Sequence, residues 1–294
     1  MLELDVIIPF YGDPKYLLRA VESVRALMAT DWRMTIIEDC YPDGHIVEKM
    51  IKELGESRIT YTRNEKNLGV AGNQHRSMQV AERDLFVVLD ADDVLRPTYG
   101  RQVAELVERY PRAGLIQPGV QVIDEDDRPY RPLPDRIKDM IRPSGGEFEI
   151  AGEAAITSLL LGNWLYTPAL TYRRDLTRDL TRRPAIDTIN DLSMVVDVLL
   201  RGGSLVVGGE TAFQYRRHRK SHSSTAAKTG LRFEQERAFF ATMETELRER
   251  GWHIAAKAAR RHLTSRLNAL IQIPGALTSR QGAVARALLR HVLS

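Results

Sequence analysis

Five consecutive apolar residues, Leu85 to Leu89, run directly into Asp90-Ala91-Asp92-Asp93. Carboxylates crowded at the end of a buried segment repel one another and lose hydration, so the arrangement is costly unless something compensates it. Hard divalent cations take oxygen ligands, and Mg²⁺ typically combines one or two protein carboxylates with the phosphate oxygens of a substrate. An Asp-x-Asp at a strand end suits that chemistry. The competing reading is that these acids cap the next turn or helix, a common use of aspartate.

The segments around the cluster read as alternating strands and helices. Leu4 to Ile8 is a short apolar run ended by Pro9, which suits a buried parallel strand. Asp13 before Pro14 offers an N-cap and a proline at the first helical position, and Leu17, Leu18, Val21, Val24, Leu27 and Met28 then recur at helical spacing. Met34 to Ile37 and Ile59 to Thr62 are further strands, with Val47 to Leu54 helical between them, and a helix over Val70–Val80 leads into Leu85–Leu89. Repeated βαβ units predict an α/β fold with a mostly parallel sheet and helices on both faces. Ligands of such sheets bind beyond the carboxyl ends of the strands, where the acidic cluster lies.

Beyond Pro97 the spacing predicts a helix to about Tyr110 and an extended segment from Leu115 to Ile123. Asp124 to Gly146, rich in charge, proline and glycine, reads as a mobile loop. Asn163, Trp164 and Thr167 lie in the apolar stretch Leu159 to Leu170. From Leu231 the pattern turns helical to the end, with an interruption expected at Pro274-Gly275; Ala256, Ala259, Leu263, Leu267 and Leu270 share one face, and Lys257, Arg261, Thr264 and Asn268 the other.

Composition bounds the partners. The chain has 294 residues, 43% of them hydrophobic, and its 42 basic residues nearly balance 39 acidic ones for a net charge of +3, so nothing demands a nucleic-acid partner. The lone Cys40 cannot form an internal disulfide and reads as a packing residue in a reducing, cytoplasmic setting. The N-terminal Met1-Leu2-Glu3-Leu4-Asp5 lacks the basic region of a secretory leader, and no apolar run reaches the roughly 18 residues that a membrane span needs.

Ile7-Ile8-Pro9-Phe10-Tyr11, Ile36-Ile37-Glu38-Asp39, Asn67-Leu68-Gly69 and Asn73 precede the acidic cluster in a characteristic order. Over roughly residues 4–224 the chain thereby resembles family 2 of the glycosyltransferases. The resemblance implies the GT-A fold, a Rossmann-like twisted sheet flanked by helices. It also implies transfer, with inversion, from a nucleotide-diphosphate sugar donor to the hydroxyl of a saccharide, lipid-linked or small-molecule acceptor, in synthesis of a cell-surface polysaccharide, glycolipid or related glycoconjugate.

By the same resemblance, Pro9, Phe10 and Tyr11 form a wall beside the nucleotide base, and Asp39 contacts the base or ribose. Asn67 and Gly69 make the Asn-x-Gly turn, where glycine can take positive φ or allow close backbone approach. Asn73 and Arg76 follow on the next helix, Arg76 facing the diphosphate. Asp90 and Ala91 lie toward the ribose, Asp92 holds Mn²⁺ or Mg²⁺ with Asp90 beside it, and Asp93 is an alternative ligand. His218 is a further metal ligand, while Arg216, Arg217, Arg219 and Lys220 neutralise the diphosphate. Trp164 can stack on an acceptor sugar or pack in the core.

Inversion by single displacement needs a general base to take the acceptor's proton, and Asp187, Asp191 and Asp197 are available. Asp191 is the candidate, because Asn190-Asp191-Leu192 opens an apolar helix where the family carries Glu-Asp. Asn190 departs from that pattern, and Asp191 also suits an N-cap. The departure motivates one rival, a nucleotide-sugar-binding module without catalysis. The other, a sugar-phosphate nucleotidyltransferase, lacks the expected glycine-rich basic loop, since Pro9-Phe10-Tyr11-Gly12-Asp13 follows the first strand.

The expected division is a GT-A catalytic domain over residues 1–230, with a nucleotide-binding half at 1–93 and an acceptor half at 94–230, followed by a C-terminal helical region at 231–294. That region reads either as a helical pair packing on the catalytic domain or forming a homodimer, or as a patch for peripheral contact with the inner face of a membrane. Its alanine-rich apolar face favours protein contact.

Overall fold

A computed structural model describes residues 1–183, 186–218, 231–279 and 281–293. The amino-terminal half alternates β1 (Leu2–Phe10), α1 (Pro14–Arg25), β2 (Thr30–Glu38), α2 (Gly44–Glu53), β3 (Ile59–Arg63), α3 (Gly69–Val80) and β4 (Leu85–Val88). Asp13 caps α1, its carboxylate accepting from Lys15 N at 2.8 Å, and Pro14 opens the helix with a ring that needs no N–H there.

The second half adds β5 (Val94–Leu95), α4 (Tyr99–Arg109), β6 (Ala113–Ile123), α5 (Leu133–Ile141), β7 (Phe148–Ala151), α6 (Gly152–Leu161), β8 (Thr171–Arg173), α7 (Asn190–Leu200) and β9 (Ser204–Arg216). All strands join one sheet in the order β3-β2-β1-β4-β8-β6-β9-β5, with β7 also on β9. The expected α/β architecture is present. Its β3-β2-β1-β4 half is wholly parallel, whereas β8, β7 and β5 pair antiparallel with their neighbours.

Strand β4 shows how the sheet is covered. Leu85, Val87 and Leu89 pack into a core with α1, α2 and α4, while the alternate Phe86 and Val88 join a second core with α3, α6 and α7. Burial on both faces explains the unbroken apolar run that precedes Asp90.

Sequence expectations need correction in two regions. Asp124–Gly146 is not loop throughout, because it contains α5, whose Asp135 is buried. Prolines and charges mask an amphipathic turn pattern there.

The C-terminal region is more than a helical pair: it comprises α8 (Leu231–Glu249), α9 (His253–Arg261), α10 (Leu263–Thr278) and α11 (Gly282–Leu293). Phe239, Phe240, Met243 and Leu247 of α8 and Ala255, Ala256, Ala258 and Ala259 of α9 share the core of α6 and α7. The helical path does not break at Pro274, which lies inside α10; it breaks at His262, where φ is +26°. That break resets the helical phase, so Leu263, Leu267 and Leu270 are exposed although Ala256 and Ala259 are buried.

Candidate active site

Strand β4 delivers the acidic cluster. Oxygen atoms of Asp90, Asp92 and Asp93 all lie within 4.8 Å of one another. Asp93 is buried; its Oδ1 accepts from Arg216 N at 2.7 Å, and its Oδ2 is enclosed without a hydrogen-bond partner. Burial first, then the neighbouring carboxylates, push the Asp90 and Asp93 carboxyls well above the ordinary range. Crowded oxygen ligands with one buried oxygen unsatisfied fit a hard divalent cation, which would relieve both the repulsion and the orphaned atom.

Helix α7 brings Asp191 to the same place. The helix begins at Asn190, so Asp191 lies within its first turn and is not its cap. Burial raises the Asp191 pKa, opposed by the Lys138 charge and by a hydrogen bond from Gln74. The other carboxylates considered as bases are engaged elsewhere: Asp187 pairs with Arg182 at 3.2 Å and Asp197 with Arg183 at 2.6 Å.

Gln74 of α3 is a residue that the sequence reading missed. It stands close enough to Asp90 and Asp191 to lower the pKa of both carboxyls, while its Oε1 accepts from Asn190 Nδ2 at 3.3 Å. One side chain therefore joins α3, the end of β4 and the start of α7. Only Asn190, as an amide donor, could have pointed to it.

His218, just beyond β9, reaches the cluster: its Nε2 lies 2.8 Å from Asp92 Oδ2, and that hydrogen bond raises the imidazole pKa. Tyr16 of α1 meets the His218 ring edge-on at 5.0 Å. Arg216 departs from expectation. Its side chain is fully buried, donating to Asp92 O at 2.7 Å and Asp124 O at 2.9 Å and pairing with Asp127 at 2.6 Å. It braces the loop that carries the cluster, enclosed away from solvent. Arg217 instead grips Asp135 with both arms, at 3.0 and 2.8 Å. Arg219 and Lys220 lie outside the described residues.

At the nucleotide end, Phe10 is buried in the core and cannot wall a ligand; alternation along β1 turns it inward. Pro9 is half-buried and Tyr11 is 54% exposed. Tyr41, not anticipated, stands edge-on to Tyr11 at 5.8 Å and supplies the second aromatic face. Asp39 is buried, and its carboxylate accepts from Asn64 Nδ2, Leu68 N and Gly69 N, fastening the start of α3 in place of facing an open site. Asn73, also buried, donates to Ile37 O at 2.9 Å and accepts from Asn64 at 3.0 Å. Both support the turn that opens α3. Asn67 donates to Asp39 O at 2.9 Å, and Gly69 takes the positive φ, +71°, that the turn requires. Arg76 and Ala91 are half-buried. Cys40 itself has φ +60°, with Sγ donating to Asn64 O at 3.2 Å, so it serves the same turn.

On the acceptor side, Trp164 is buried against Phe148 and donates to Ser158 Oγ at 3.1 Å, which removes it as a sugar platform. Asn163 and Thr167 are half-buried, Asn163 accepting from Leu165 N at 3.2 Å. In its place α5 contributes Lys138, whose ammonium lies 4.3 Å from the Tyr166 ring. Burial, then the Arg217 charge, lowers its pKa to about 8, with Asp135 and Asp191 opposing.

Comparison with known proteins agrees with this arrangement. The signature of glycosyl transferase family 2 matches residues 5–159. An uncharacterized glycosyltransferase of Methanocaldococcus jannaschii is 29% identical over 126 residues, 42% of this chain and 43% of that protein, so the match spans under half of the relative's length. Among solved structures, S. aureus TarS in complex with UDP-GlcNAc superposes with a TM-score of 0.72 at 16% identity, covering 99% of this chain and 82% of TarS. GalNAc-T7 with UDP, GalNAc and Mn²⁺ does so with a TM-score of 0.53 at 17% identity, covering 74% of this chain and 44% of the other. The signature covers more than half of the chain and the GT-A architecture extends through both halves of the sheet, so this chain belongs to glycosyl transferase family 2.

Proposed function

We propose that this chain is a metal-dependent inverting glycosyltransferase that moves a sugar from a nucleotide-diphosphate donor to an acceptor hydroxyl. The observation that carries the reading is the meeting of Asp191 with the Asp90, Asp92 and Asp93 cluster across Gln74. The half-buried Asp90 and Asp92 would hold Mn²⁺ or Mg²⁺, with the unpartnered Asp93 Oδ2 as a further oxygen and His218 beside Asp92. When bound, the cation supplies positive charge next to the departing diphosphate.

Asp191 takes the proton of the acceptor hydroxyl as that oxygen attacks the anomeric carbon. Its raised pKa suits a base, since a carboxylate in a partly dry setting binds a proton more readily than one in water. The new bond forms opposite the leaving diphosphate, so the configuration inverts and no sugar-enzyme bond is made. Tyr11 and Tyr41 offer faces for the nucleotide base, while Lys138 and Tyr166 border the acceptor side.

Asn190 does not by itself argue for a non-catalytic module, because its side chain supports the site by donating to Gln74 Oε1 at 3.3 Å. The solved relatives with UDP-GlcNAc, and with UDP, GalNAc and Mn²⁺, support a donor of this type. A saccharide or lipid-linked acceptor in glycoconjugate synthesis fits that chemistry. The test is release of nucleoside diphosphate from a panel of nucleotide sugars with and without Mn²⁺. Release that requires the ion supports the reading, and no release from any donor contradicts it.

A further inference from the structure

Helix α10 turns its small residues inward and its large aliphatic ones outward. Ala269 and Ala276 pack with Phe233 of α8 and with Ala285 and Leu288 of α11. Leu263, Leu267, Leu270 and Ile271, at helical spacing, are 51% to 68% exposed. Leu277 continues that face, and Leu289 and Leu293 of α11 are exposed as well. Water-facing aliphatic surface of this extent marks an interaction site.

Charge selects the occupant. Residues 251–294 contain seven Lys and Arg and no Asp or Glu. Lys257, Arg260 and Arg261 at the amino-terminal approach to the stripe, and Arg286 and Arg290 on α11, are exposed. A second copy docked through this face would set basic surface against basic surface with no acid from the segment to pair it, a costly juxtaposition. Among the described residues no helix is long and apolar enough to cross a membrane, which leaves a helix lying in the plane of the interface.

We propose that α10 and α11 dock this chain on an anionic lipid surface, the Leu263-Leu267-Leu270-Ile271 stripe entering the acyl boundary and the flanking arginines meeting phosphate headgroups. Aliphatic side chains then leave water while the long arginine stems keep their charges at the headgroup level.

Cosedimentation with vesicles tests this on the full chain and requires no donor or acceptor, so its outcome is separate from that of the glycosyl-transfer assay. Binding is expected to vesicles of phosphatidylcholine mixed with phosphatidylglycerol, about tenfold tighter than to phosphatidylcholine alone. The triple variant L267S/L270S/I271S should lose about tenfold or more of that binding with its Tm kept, because the exchanged side chains already face water. R260Q and R261Q should each cost about fivefold on anionic vesicles only. Three results would overturn the proposal: no vesicle binding by the wild type, equal binding by the triple variant, or a wild-type dimer in sedimentation velocity that the triple variant alone dissolves.

Discussion

Asn190 Nδ2 donates to Gln74 Oε1 across 3.3 Å, linking the first residue of α7 to the middle of α3. With its oxygen so occupied, the Gln74 amide has only N–H groups left to offer the neighbouring Asp90 and Asp191, whose pKa values it lowers. A glutamate at position 190 could not donate to that oxygen and would add another carboxylate beside two whose pKa values are already raised.

Gln74→Glu preserves the shape and removes the donors. The expected result is a fall in kcat of about a hundredfold, as for a misplaced base, with donor affinity within about twofold of wild type. Steady-state kinetics together with calorimetric donor binding checks it, and Gln74→Leu should behave alike. Asn190→Ala should lower kcat in the native background and have little further effect when Gln74 is already Leu, because it acts through Gln74.

Crowding at Asp90 should cost stability without metal. A carboxyl whose pKa is raised on folding holds its proton longer in the native state. Stability therefore falls as pH rises from the ordinary carboxylate range through the raised value. Asp90→Asn is expected to raise the metal-free Tm at neutral pH and to lose the Tm gain that Mn²⁺ gives the wild type. Asp92→Ala should likewise abolish Mn²⁺-dependent donor binding by calorimetry. Scanning calorimetry with chelator and with Mn²⁺ reads the stability effect.

Arg216→Ala should act through the fold. Removing a buried guanidinium leaves the Asp92 and Asp124 carbonyl oxygens without their donors, at a cost of about 3 kcal/mol, while Asp127 keeps its pair with Arg19 at 2.8 Å. Urea denaturation measures it. Arg216→Lys should recover little, because one ammonium cannot span the same acceptors.

Lys138 favours the ionised form of Asp191. Lys138→Met is expected to raise the Asp191 pKa further, moving the acidic limb of the kcat/KM profile to higher pH. A pH-rate profile on one donor and acceptor pair reads the displacement.

Legibility followed the range of the signal. The buried strand ending in aspartates, the Asp13-Pro14 helix start and the positive φ at Gly69 each depend on a few neighbouring residues, and all could be read in the sequence. The helix start that carries Asp191 was legible because the apolar spacing from Leu192 is helical. What escaped depends on distant partners. Arg216 reads as a basic loop residue until Asp127 and the Asp124 carbonyl enclose it, and Gln74 gains meaning only from Asn190, 116 positions away. Phe10 was misread because alternation along β1, not the motif, decides which way it points. The α10 face was misread because a single positive φ at His262, unmarked by glycine or proline, shifts every later residue around the helix.

The central claim is that Asp191 removes the acceptor's proton, and Asp191→Asn tests it most directly. The substitution keeps shape and hydrogen-bonding reach while removing basicity. With Mn²⁺ and the donor identified by diphosphate release, the variant is expected to bind donor as the wild type does and to transfer sugar about a hundredfold to ten-thousandfold more slowly. A near-normal transfer rate with intact donor binding would contradict the account.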